Sequence, residues 1–277
     1  MANTQTTLSA DNTPIAFETI GTGPAVVIVD GALCYREFGD SRNLATELSP
    51  HFTVYFYDRR GRGESGNTLP YSREREVEDL AAVVAATREI PFVAGFSSGG
   101  GLALEAAASG VPIRKVAVYE APYLGNRGSV DDAGHLQALI DRGDRGAAVK
   151  YFMVKMVGAP IFLPLVLRFM PRVWKQLTAI AHTLPYDATI MRGFVVPTAR
   201  LGTITTPTLV MGGGKAKPAM TAAVDAVARA IPGSEKRTLS GQTHQVAASA
   251  IVPELVRFFA GTPIPSETAT DTRLEDK

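Results

Sequence analysis

The sequence predicts an α/β fold, with a mostly parallel central sheet flanked by helices on both faces and an inserted helical cap. Three observations predict it. Short apolar runs alternate with helix-like stretches along most of the 277 residues. The run Pro91-Phe92-Val93-Ala94-Gly95-Phe96-Ser97-Ser98-Gly99-Gly100 breaks an apolar strand into a G-x-S-x-G turn, with a helix-forming stretch directly behind it. Between residues 124 and 200 the alternation stops and helical stretches rich in Met, Phe, Leu and Pro take over, without a convincing strand.

In chain order, residues 7–9 and 15–20 read as strands, and Asp11-Asn12-Thr13-Pro14 between them supplies hairpin turn chemistry. Residues 25–29 are uniformly apolar, as a buried strand requires, and residues 52–57 form another. A helix over 72–88 carries Val77, Leu80, Val83 and Val84 on one face. The strand at 92–96 leads into the turn, and Gly101-Leu102-Ala103-Leu104-Glu105-Ala106-Ala107-Ala108 continues as a helix of good helix formers. Strands at 115–119, 208–211 and 236–239 and helices at 219–230 and 251–259 complete the pattern. The expected division is a core of residues 1–123 and 201–261, a cap of 124–200, and a disordered tail of 262–277, rich in Thr, Pro and charge.

Lys and Arg (28) nearly balance Asp and Glu (27), so net charge gives no electrostatic footprint for nucleic acid or an acidic membrane. The single cysteine, Cys34, excludes an intrachain disulfide and a multi-cysteine metal site. Met1-Ala2-Asn3-Thr4-Gln5 offers neither a basic start nor an apolar stretch, so a cytoplasmic location is expected. The longest uncharged apolar stretch, residues 156–167, contains Pro160 and Pro164 and is too short to span a bilayer.

Ser97 sits at the centre of the glycine-flanked turn, which exposes its hydroxyl, and the N–H groups of the helix starting at Ser98 face the same point. A serine needs a base within hydrogen-bond reach. Of four histidines, His244 lies in Ser240-Gly241-Gln242-Thr243-His244-Gln245, between the last expected strand and the last helix. That is where open α/β folds assemble their sites. His51, His135 and His182 read as surface or packing residues. Tyr151, Phe152, Met153, Met156, Phe162, Leu165, Phe169, Met170 and Trp174 could line an apolar pocket above Ser97, with Phe152, Met156, Phe162 and Trp174 as the principal substrate-binding candidates.

With Val29-Asp30-Gly31-Ala32, Tyr57-Asp58-Arg59-Arg60-Gly61-Arg62-Gly63-Glu64-Ser65, GFSSGG and Gly241-Gln242-Thr243-His244, the chain resembles the α/β-hydrolase superfamily over roughly residues 14–260. The resemblance implies backbone N–H groups of Ser98 and Ala32 as an oxyanion hole, although Asp30 stands where many members carry histidine. Many members place an acid after the strand that follows the cap. Here that segment, Met211-Gly212-Gly213-Gly214-Lys215-Ala216-Lys217-Pro218, has no carboxylate. The superfamily's other location, the end of the preceding strand, holds Glu120, as in members such as some haloalkane dehalogenases; those use an aspartate nucleophile, so Ser97 argues against that reaction. The Asp58-Arg59-Arg60-Gly61-Arg62 turn is mostly structural in this family.

The resemblance thus implies a serine hydrolase that cleaves a carboxylic ester, thioester or lactone, with Ser97, His244 and Glu120 as catalytic residues and a small acyl compound as substrate. The Gly212-Gly213-Gly214 loop has neither a G-x-G-x-x-G pattern nor a G-K-[ST] ending, and no metal-ligand spacing is present, so no cofactor or metal is expected, nor a nucleic-acid or membrane partner. A lyase, oxygenase or perhydrolase without a cofactor on the same fold stays open, as does a ligand-binding protein without turnover. Substrate identity and oligomeric state are not legible.

Overall fold

Eight strands form one sheet in a computed structural model that describes residues 4–125 and 131–261. The tail expected at 262–277 lies outside the described residues. The first half contains β1 (Gln5–Leu8), β2 (Pro14–Ile20), β3 (Ala25–Val29), α1 (Ser41–Leu48), β4 (Thr53–Tyr57), α2 (Arg73–Ala86), β5 (Phe92–Phe96), α3 (Ser98–Ala108) and β6 (Lys115–Tyr119). A helical segment follows: α4 (Asp132–Asp141), α5 (Arg145–Tyr151), a π-helical turn (Phe152–Met156), α6 (Leu163–Arg168), α7 (Pro171–Ala179), α8 (Leu184–Ile190) and α9 (Thr198–Leu201). The chain then returns to the sheet through β7 (Thr208–Gly213), α10 (Pro218–Ala230), β8 (Glu235–Leu239) and α11 (Ala248–Ala260).

The strand order is β1-β2-β4-β3-β5-β6-β7-β8, antiparallel from β1 to β4 and parallel from there on. The β1–β2 hairpin closes as its turn residues dictate: Asn12 takes positive φ, and the Asp11 side chain accepts from Thr13 N–H at 3.0 Å. The central strand β3 shows why its run is apolar throughout. Val27 and Val29 enter the core layer shared with α2, α3 and the helical segment, while Val26 and Ile28 enter the layer beneath α1 and α11. Capping fixes the start of α2, where Ser72 Oγ accepts from Arg75 N–H and Glu74 and Glu76 occupy the first turn.

Element ends shift by up to three residues, as at β1 and α11, and two differences have a physical reason. The helix α1 has no counterpart in the sequence reading, because Leu44, Ala45 and Leu48 give only one turn of apolar spacing; it forms because those residues bury against the α11 layer. The strand β7 runs on to Gly213, since pairing of Gly212 with Thr238 and Gly213 with Leu239 extends the ladder into residues of low strand propensity. Among the described residues no helix is long and apolar enough to cross a membrane.

The α11 layer is held by three rings. Phe92 and Phe259 stack at 4.7 Å, and Phe52 meets both edge-on at 6.0 and 6.1 Å. Phe259 is fully enclosed, so Phe259→Ala should lower unfolding free energy by about 3–5 kcal/mol, measured by denaturant titration. Because α11 follows directly on the loop carrying His244, the same variant should loosen that loop.

Candidate active site

The turn after β5 is under steric constraint from both sides. Ser97 has φ 52° and ψ −125°, a conformation that a non-glycine residue adopts only where surrounding structure enforces it. A Cβ on Gly95 would lie 2.6 Å from Gly99 O, and one on Gly99 would lie 2.2 Å from Val29 O. No side chain fits at either position. The turn is pinned by Ser97 N–H to Tyr119 O at 2.9 Å and Gly100 N–H to Ser97 O at 2.9 Å.

Ser97 Oγ lies 3.1 Å from His244 Nε2, and His244 Nδ1 lies 2.7 Å from Glu120 Oε2. With its Nδ1 proton directed to the carboxylate, the imidazole presents the Nε2 lone pair to the serine hydroxyl. Glu120 follows β6 directly, again at positive φ, 46°. Its side chain is buried, and its second oxygen, Oε1, accepts from Gly213 N–H at 2.8 Å. The β7 backbone therefore orients the acid from the strand where the sequence carries no acid of its own. The histidine loop is held on the same side: Lys215 N–H donates to Gln242 O at 2.8 Å, Tyr119 Oη donates to Thr243 O, and Gln242 Oε1 accepts from Ala247 N–H at 3.0 Å.

Ala32 and Ser98 both line the cavity beside Ser97. The orientation of the loop at 30–34 comes from the arginine turn. Arg62 Nη1 donates to Gly31 O at 2.6 Å and to Cys34 O at 3.3 Å, and Arg59 Nη1 donates to Asp30 O at 3.2 Å. In a trans peptide C=O and N–H point in opposite directions, so fixing Gly31 O on Arg62 aims Ala32 N–H away from the arginine. Arg59, Arg60 and Arg62 are all fully buried, each on carboxylates: Arg59 on Glu76 and Asp187, Arg60 on Asp79 and Asp11, Arg62 on Asp187. The cluster is internal scaffolding.

Asp187, on α8, was missed by sequence reasoning. It accepts from Arg59 at 2.8 Å, Arg62 at 2.7 Å and Ser98 Oγ at 2.7 Å, and so ties the helical segment to the residue after Ser97. One signal in the sequence could have found it: Asp187 is the sole acid between residues 145 and 224.

The cavity over Ser97 measures about 430 Å³, and Leu124, Phe152, Met156, Met191, Phe194 and Met220 contribute to its apolar wall. Phe152 and Met156 thus take the expected place. Phe162 and Trp174 do not. Phe162 caps the start of α6 and turns outward, 61% exposed, and Trp174 on α7 packs against the core layer under the Arg168 guanidinium. The helical register of α6 and α7, which composition does not reveal, decides both. Of the other expected wall residues, Tyr151 donates to Asp132 and packs on His135, and Leu165, Phe169 and Met170 are exposed. Among the described residues no three His, Cys, Asp or Glu side chains group as metal ligands.

Burial shapes the electrostatics beneath the serine. The Asp30 carboxyl is pushed up to about 6 by desolvation, which the neighbouring Ser41 hydroxyl and the Arg62 and Arg59 charges only partly offset. Burial, helped by the Asp30 charge, raises the Cys34 thiol to about 12, so it stays protonated and unreactive. Desolvation also penalises Asp187, but the charges of Arg62 and Arg59 and the Ser98 hydrogen bond prevail and hold its carboxyl below the usual range.

The model of the alpha/beta hydrolase family matches residues 23–254, and the chain belongs to that family. An alpha/beta hydrolase from Sphaerobacter thermophilus DSM 20745 is 49% identical and superposes with a TM-score of 0.85, over 92% of this chain and 100% of that one. Two further solved structures share the fold at lower identity. The enol-lactonase from Burkholderia xenovorans LB400 is 20% identical, with a TM-score of 0.72 over 92% of this chain and 100% of that chain. An esterase from Rhodococcus sp. ECU1013 is 19% identical, with a TM-score of 0.67 over 94% and 99%.

The raised Asp30 group gives a signed expectation. Its contribution to stability is fully present below the usual carboxylate value of 3.8 and is lost as pH rises through about 6. Asp30→Asn should therefore stabilise the protein above pH ~6, by up to about 3 kcal/mol, and leave it unchanged or weaker in acid. Melting temperatures of both proteins across pH measure this; parallel curves would refute it.

Proposed function

We propose that the protein is a serine hydrolase that cleaves a carboxylic ester, thioester or lactone through an acyl-enzyme. The observation that carries this reading is the hydrogen-bonded series Ser97–His244–Glu120 opening into an apolar cavity. In this mechanism His244 Nε2 takes the Ser97 proton as Oγ attacks the acyl carbon, and Glu120 stabilises the imidazolium that forms. The N–H groups of Ala32 and Ser98 receive the oxyanion, each donor contributing about 3 kcal/mol to the barrier reduction. His244 then returns the proton to the leaving alcohol, thiol or enol, and the same residues activate water for deacylation. The apolar wall supports a hydrophobic acyl or leaving group, and the lactonase and esterase folds named above agree with this reaction class without deciding the substrate.

Intact-mass analysis after exposure to a fluorophosphonate tests the reading. Wild type should gain one adduct, and Ser97→Ala and His244→Ala should gain none. Absence of an adduct on folded wild type would favour a binding protein without turnover. With a turned-over ester in hand, Glu120→Gln should lower kcat by about 10²–10⁴-fold with little change in KM. An unaffected Glu120→Gln variant would remove Glu120 from the mechanism. Product analysis separates hydrolysis from a lyase, oxygenase or perhydrolase reaction.

A further inference from the structure

The balanced charge of the whole chain conceals a local asymmetry. Residues 145–224 contain ten Lys and Arg against one acid, Asp187, and that acid is buried on Arg59 and Arg62. Arg192 and Arg200 are paired with Glu105. Lys150, Lys155, Arg168, Arg172, Lys175, Lys215 and Lys217 are exposed. Within this basic region the side chains at 161–170 break the usual rule for soluble surfaces. Ile161 is 72% exposed and Phe169 81%, with Phe162, Leu165, Val166 and Met170 exposed beside them. A contiguous apolar patch of this kind marks an interaction site.

Its position is informative. Residues 157–160 form part of the cavity wall, and the exposed patch begins at the next residue. Lys215 and Lys217 line the cavity from the other side, and Lys217 Nζ donates to Gly158 O at 3.1 Å. The patch therefore adjoins the wall of the cavity over Ser97, and Lys215 and Lys217 belong to that wall.

We propose that this face docks on an anionic lipid surface, with the apolar side chains of 161–170 entering the headgroup–acyl boundary and the surrounding lysines and arginines meeting lipid phosphates. Charge complementarity selects this occupant. A second copy on the same face, related by a two-fold axis, would set the cations of one patch against those of the other. A fluid lipid surface accepts protruding apolar side chains without a matching groove, and basic residues around them add attraction to anionic headgroups. No spanning helix is needed. If the serine chemistry proposed above holds, a substrate dissolved in the lipid could enter the cavity directly; the docking itself does not depend on that chemistry.

Sedimentation with vesicles tests the proposal on the full-length protein. It should bind vesicles of phosphatidylcholine and phosphatidylglycerol mixed two to one, and bind pure phosphatidylcholine about tenfold or more weaker, with added salt erasing the difference. Ile161→Asp/Phe169→Asp and Arg172→Glu/Lys175→Glu should each lower binding about tenfold or more while keeping the wild-type melting temperature, because these side chains are exposed. No binding to the anionic vesicles, equal binding to both compositions, or undiminished binding by the variants would overturn the proposal. So would a dimer in analytical ultracentrifugation that Ile161→Asp/Phe169→Asp dissociates, since the patch would then belong to a second copy. Vesicle binding requires no turnover, so its failure and a failure of the serine labelling are separate results.

Discussion

A single buried carboxylate, Asp187, holds together the parts that surround Ser97. It lies on α8, yet its partners come from the arginine turn after β4 and from the first residue of α3. Through Arg59 and Arg62 it reaches the carbonyls of Asp30, Gly31 and Cys34. Buried charges of this kind are stable only in company, and removing one partner of such a pair typically costs about 3–5 kcal/mol. The helical segment is thus keyed to the turn beneath it, and a shift of α8 would disturb the loop that carries Ala32 beside the cavity.

What the sequence made legible follows from where the constraint is local. The glycines of the Ser97 turn could be read because a Cβ at either place collides with backbone, whatever the rest of the chain does. His244 could be placed because a polar turn between the last strand and the last helix falls at one edge of any open parallel sheet. Glu120 needed the family resemblance, since its hydrogen bond from Gly213 depends on β6 and β7 lying side by side, and strand order is not written in either strand. Asp187 and α1 escaped for a related reason: both are stabilised by partners distant in the chain, and neither has a strong periodic pattern of its own. Phe162 and Trp174 show the limit of composition, which indicates that a segment is apolar but not which of its faces meets the cavity.

Net charge has the same limitation. The expectation of no acidic membrane partner came from a whole-chain balance of 28 bases and 27 acids. Electrostatic attraction is felt locally, within about 10 Å in salt solution, so a balance summed over the molecule says little about one face. The bases that serve structure, such as Arg59, Arg60 and Arg62, are cancelled within the interior. Between residues 145 and 224 the surface bases share the sequence with one acid, Asp187, which is buried.

The position of Glu120 at the end of β6 has a consequence for how this scaffold can change. With the acid on β6 and only a backbone N–H required from Gly213, no side chain of the loop after β7 contributes to the serine–histidine–acid series. That loop supplies Lys215, Ala216 and Lys217 to the cavity wall. The acid beside His244 and the lining from this loop thereby come from separate pieces of chain, and the loop can accept substitutions that reshape the cavity while Ser97, His244 and Glu120 keep their hydrogen bonds. A chain with its acid in that loop would have to preserve both at once.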